Sequence, residues 1–133
     1  MFTLTKNQAL TMLIGARFVI GITSWLLPGV TTRAMLIDVG ANPAFPYPLR
    51  LFGVRDVLMG VLLLSSDGIV LHRHLQMSAA IDLIDAIAAA IAGFTGQISK
   101  RAAIFCCGAS LIGAALGMAS LGKGPLSRNT KTC

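Results

Sequence analysis

Apolar residues in this chain gather in four long runs, at roughly 9–27, 49–64, 75–94 and 102–121, separated by stretches rich in Pro, Gly, Ser and charge. At about 1.5 Å per helical residue, runs of this length approach the roughly 30 Å of a hydrocarbon core, so the pattern predicts four transmembrane helices. The fourth, AAIFCCGASLIGAALGMASL, has no charged residue and is the plainest span. The second is the shortest. Pro43, Pro46 and Pro48 are expected to stop it extending backwards, and the turn cluster Ser65-Ser66-Asp67-Gly68 closes it. Lys6 ahead of the first run resembles the start of a secretory signal, but Arg17 in the middle would spoil its apolar stretch, so we read a retained helix.

Composition agrees with the pattern: 55% of the 133 residues are hydrophobic, 12% are charged and the mean hydropathy is +0.78. These values lie outside the soluble globular norm and predict an all-α integral membrane four-helix bundle forming one domain over 1–133. Four spans put both termini on one side. That side holds Lys6, Arg73, Lys123, Arg128 and Lys131; the other holds Arg33, Lys100 and Arg101, with Arg50 at the boundary. The bias favours cytoplasmic termini in a multi-pass protein. The net charge of +6 then faces anionic headgroups of the bilayer rather than nucleic acid.

The connection over 28–48 is long for a small bundle. Within it, Thr31 or Thr32 is expected to cap a short helix whose Met35, Leu36 and Ile37 rest on the membrane surface, with Trp25 and Tyr47 as interfacial markers. The segment suits a lid or an anchor equally. Cys106, Cys107 and Cys133 match neither a disulfide framework nor zinc-ligand spacing and read as small apolar fillers and a tail thiol. His72 and His74 flank Arg73 in what reads as a basic interfacial loop. Ala109, Gly113 and Gly117, with Gly53 and Gly60, allow close helix approach. Such contacts serve within and between bundles alike, so a homo-oligomer or a membrane-protein partner stays open.

The charges inside the spans change the picture most. Arg17 lies near the centre of the first, Arg55 and Asp56 near the centre of the second, and Asp82 and Asp85 near the centre of the third. Each facing lipid would cost roughly 2.5–3.5 kcal/mol, on the order of 15 kcal/mol for five, so they are expected to turn inward and meet. Asp82 and Asp85, three residues apart, share a helix face. Arg17 and Arg55 are the natural cations, and one guanidinium fork can bridge two carboxylates. Two arginines against three aspartates leave one carboxyl without a cation of its own, a proton donor beside an acceptor.

That pairing suits general acid/base opening of a strained ether such as an epoxide. One carboxylate takes a proton from attacking water or hydroxyl, and the acid protonates the departing oxygen, with no cofactor or metal needed. We expect Asp82 and Asp85 to be the base and the acid in either order, Arg55 and Arg17 to position them, and Asp56 to balance Arg55. The substrate is then an apolar small molecule arriving from the bilayer. Two other readings stand beside this one: a non-enzymatic scaffold or partner subunit whose Arg/Asp cluster only fixes helix register, and a proton or ion path. The path is disfavoured because the fourth helix offers only Ser110 and Ser120 as non-sulfur polar side chains.

The segments ARFVIGITSWLLPG and RLFGVRDVLMGVLLL, followed by a helix with spaced aspartates, resemble a family of small four-helix integral membrane proteins from fungi and bacteria, most of unknown function. The likeness covers residues 9–120, with F-G-V-R-D as its most specific element. Some similar fungal proteins act as epoxide hydrolases or cyclases in polyketide pathways, and the resemblance implies that activity here. A separate similarity, of constellation alone, is to the soluble limonene-type epoxide hydrolases with their aspartate–arginine–aspartate arrangement; it assigns no residues.

Overall fold

The computed structural model describes residues 5–121; Cys133 and the tail charges Lys123, Arg128 and Lys131 lie outside the described residues. Among the described residues the chain is all helical, with α1 (Lys6–Leu26), α2 (Pro28–Ala34), α3 (Pro46–Ser65), α4 (Gly68–Phe94) and α5 (Lys100–Leu121). Three of them, α1, α4 and α5, are long and apolar enough to cross a membrane. The 20-residue α3 is comparable in length but carries Arg50, Arg55 and Asp56.

The helix starts correct the sequence reading in three places. First, α1 opens at Lys6 because Thr5 and Gln8 form a capping box: Gln8 N–H donates to Thr5 Oγ1 (3.4 Å) and Thr5 N–H to Gln8 Oε1 (3.0 Å). Second, α3 begins at Pro46 rather than 49. A proline in the first turn removes an N–H that has no intrahelical partner there, so Pro46 and Pro48 begin the helix instead of blocking it. Third, α4 begins at Gly68, so His72, Arg73 and His74 lie on a helix and not in a loop. His74 Nδ1 lies 2.9 Å from the Ser66 hydroxyl, which ties the α4 start to the α3 end.

The short helix in the 28–48 connection also sits earlier than expected. Its N-cap is Leu27 and Pro28 fills the first turn, while Thr31 and Thr32 are interior and buried, the Thr32 hydroxyl donating back to the Gly29 carbonyl (3.1 Å). Met35, Leu36 and Ile37 follow the helix as its exit, with Leu36 in the left-handed region at φ 59°. Neither threonine caps it because the helix starts at Pro28, which places both inside its turns.

Packing is set by glycine. A Cβ added to Gly53 would stand 2.6 Å from the Gly21 carbonyl oxygen, so α1 and α3 meet backbone to backbone, running antiparallel. The α4–α5 contact is also close, at Gly117 beside Ala79 and at Gly93 beside Ala103. Around the molecule, α1 touches α3 and α5, and α4 touches α5 and α3, which leaves α1 and α4 on a diagonal. The interior is layered: Leu10, Leu13, Ile14, Leu63, Leu71 and Leu75 fill one end, small residues together with Leu49 fill the other, and charge lies between. Large apolar side chains such as Val19, Ile84, Ile104 and Ile112 point outward. That arrangement is inside-out by the standard of a soluble protein.

Candidate functional site

The middle layer is built on the diagonal. Arg17 extends from α1 with 5% exposure, and its Nη1 donates to Asp56 Oδ1 of α3 at 2.6 Å. Its Nη2 donates to Asp82 of α4 (2.6 Å to Oδ2, 2.7 Å to Oδ1) and to the Ser78 hydroxyl (2.8 Å). One guanidinium thus holds two carboxylates from two helices, in the charge-assisted geometry expected of arginine. Asp56 and Asp82 are buried, at 2% and 4% exposure. Glycine makes room for them: a Cβ on Gly113 of α5 would fall 2.7 Å from Asp82 Oδ2, and one on Gly60 would fall 3.3 Å from the Arg17 Cβ.

A second pair stands beside the first. Arg55 of α3 forks onto Asp85 of α4, Nη2 to Oδ2 at 2.5 Å and Nη1 to Oδ1 at 3.1 Å, with the Phe52 ring centroid 4.7 Å from the guanidinium carbon. These side chains are 36% and 24% exposed, against 6% or less in the inner triad.

All five site residues expected from the sequence therefore meet, but with different partners. Asp56 does not balance Arg55; it pairs with Arg17, and Arg55 pairs with Asp85. The reason is helical geometry: consecutive residues point about 100° apart, so Arg55 and Asp56 cannot face one another and are dealt to different neighbours. Asp82 and Asp85 do lie on one side of α4, yet they serve different arginines. The bridging fork is present, between Asp56 and Asp82. Sequence reasoning missed Ser78, although its place four residues before Asp82 on one helix face was a usable signal, and missed Phe52, three residues before Arg55.

The other candidates lie elsewhere. Cys106 and Cys107 are free thiols within α5. No three of His, Cys, Asp and Glu among the described residues stand together as a metal-ligand set. The 28–48 connection forms an open hollow of about 750 Å³ lined by residues 42–48 and Arg50, a set that includes none of the five charged site residues. No family model, no curated protein and no solved structure matches this chain, so the role of the charge layer rests on its own geometry.

Proposed function

We propose that this chain is a multi-pass membrane enzyme that opens epoxides, by hydration or cyclisation, on an apolar polyketide-like or terpenoid-like molecule drawn from the bilayer. The observation that carries the reading is the Asp56–Arg17–Asp82 triad, two aspartates from different helices held on one buried guanidinium. In this reading the four long helices cross as a bundle, α3 included because its central charges are paired inside, and the termini are cytoplasmic.

The chemistry follows from charge balance. Arg17 with one carboxylate and one carboxylic acid is neutral, the form that a low-dielectric interior tolerates best. The ionised aspartate takes a proton from water as its oxygen attacks a ring carbon; the new C–O bond forms while the ring C–O bond breaks, and the aspartic acid delivers its proton to the departing oxygen. The product is a diol, or a cyclic ether when the attacking oxygen is the substrate's own hydroxyl. One proton moved between the two aspartates restores the starting state. Asp85 lies outside the acid/base pair in this scheme because it is committed to Arg55 by two hydrogen bonds.

The second reading, a scaffold or partner subunit, is favoured by the degree of burial: no triad side chain is more than 6% exposed. Purified protein in nanodiscs separates the two. Under the enzyme reading, Asp56→Asn and Asp82→Asn each abolish diol formation from a lipophilic epoxide while helicity and melting behaviour persist. Turnover retained in both variants refutes the acid/base pair.

A further inference from the structure

The helices do not close evenly around the charge layer. Contacts between α3 and α4 are sparse beside the close α1–α3 and α4–α5 pairs, although α3 and α4 are 20 and 27 residues long and joined by only Ser66 and Asp67. The Arg55–Asp85 pair stands in this seam, partly exposed, one residue along from Asp56 on α3 and three along from Asp82 on α4. Exposed Leu51, Val54 and Leu58 of α3 and Ile84 and Ile87 of α4 are its outward-facing neighbours in sequence, so it is a polar spot on an apolar surface.

An ion pair that served only to neutralise itself would be cheapest turned inward, as the triad is. This one stays partly exposed, and Arg55 gives only one N–H from each Nη to Asp85, which leaves Nη hydrogens for a further acceptor. We infer that the Arg55–Asp85 pair is a substrate-recognition site at a lateral entrance between α3 and α4, taking an uncharged hydroxyl or carbonyl group of an otherwise apolar molecule. A hydroxyl can accept from Arg55 and donate to Asp85 together. A carboxylate or phosphate would meet Asp85 as a like charge, and an ammonium would meet Arg55, so the neutral pair selects a neutral oxygen. The inference rests on the epoxide-opening reading for what happens next, and its test is kept separate from that reading.

The test uses full-length protein in nanodiscs with two probes, 1,2-epoxydodecane and 5-hydroxy-1,2-epoxydodecane, measuring KM, kcat and equilibrium binding of each. One charge-assisted hydrogen bond predicts that wild type favours the hydroxylated probe by about tenfold or more in KM and in binding. In Arg55→Leu/Asp85→Leu, and in the longer, flexible Arg55→Met/Asp85→Leu should the first fail to fold, the ratio between probes falls toward one. A ratio near one in wild type, or one that survives both double variants, overturns the inference. So does a cysteine at position 54 that cross-links quantitatively between two copies, because a second copy would then cover the seam. Tighter binding of the hydroxylated probe with turnover of neither leaves the recognition site standing and removes the hydrolase reading; equal turnover of both does the reverse.

Discussion

Removing the Arg17 side chain tests the charge layer at its centre. In Arg17→Leu, Asp56 and Asp82 lose the cation that touches both, and Ser78 loses its donor, four hydrogen bonds in all. Breaking a buried ion pair by deleting one partner costs about 3–5 kcal/mol, and here a carboxylate and a carboxylic acid both lose their donor, so the upper part of that range applies. At 1.4 kcal/mol per decade this is roughly two to four decades in the folding equilibrium. Arg55→Leu strands only Asp85, a single carboxylate on the apolar surface, at about 2.5–3.5 kcal/mol, less than the loss at Arg17. Restoring balance should restore stability: the triple variant Arg17→Leu/Asp56→Leu/Asp82→Leu recovers most of the loss, since apolar replacements of a buried ionic group are often neutral or better. Reversible unfolding in mixed micelles measures all three. If Arg17→Leu costs no more than Arg55→Leu, or if the triple variant is no more stable than the single, the triad does not hold the helices as described. The same triple variant separates the functional readings, because a scaffold keeps its role when neutralised and an acid/base enzyme loses turnover.

Other consequences are local. Gly53→Val places atoms against the Gly21 carbonyl and the Trp25 backbone, so α1 and α3 must separate and stability falls by about 2–3 kcal/mol, read from the same unfolding curves. Gly113→Ala puts a methyl 2.7 Å from the Asp82 carboxylate without changing any charge; activity should fall more than stability, which a comparison of kcat with the unfolding midpoint checks. Leu36→Gly relieves a left-handed backbone at φ 59° and is expected to stabilise by up to about 1 kcal/mol, a rise in midpoint that Leu36→Ala should not reproduce.

What could be read from the sequence was depth, and what could not was direction. A charge in the middle of an apolar run is costly against lipid whatever its neighbours, so Arg17, Arg55, Asp56, Asp82 and Asp85 announce a common layer from position alone, although only Arg17, Asp56 and Asp82 are buried in it while Arg55 and Asp85 are partly exposed. Which cation meets which acid depends on azimuth and on the order of helices around the molecule, and neither is written in a run of leucines. Arg55 and Asp56 illustrate the gap: adjacent in sequence, they are turned apart by one helical step. The helix starts at Pro46 and Gly68 were obscured for a different reason. Proline and glycine mark breaks in most contexts, but at the first turn of a helix the same residues are compatible with its beginning.

The diagonal placement of Arg17 explains why the two pairs differ. Among the described residues α1 and α4 do not approach backbone to backbone, so the reach of an arginine side chain makes the direct hydrogen-bonded link between them. The neighbouring seam between α3 and α4 has less packing than its counterparts and carries the Arg55–Asp85 fork instead. Inner and outer pairs therefore do different mechanical work. The inner one braces a distance that apolar packing leaves unspanned, and any loss there is felt by α1, α3 and α4 together. The outer one bridges two helices that already follow each other in the chain, so it can break with the fold still held by glycine contacts on either side. A pair that can open without unfolding the protein is suited to the surface where a molecule from the bilayer would first be met, and a pair that cannot is suited to keeping two aspartates at a fixed separation.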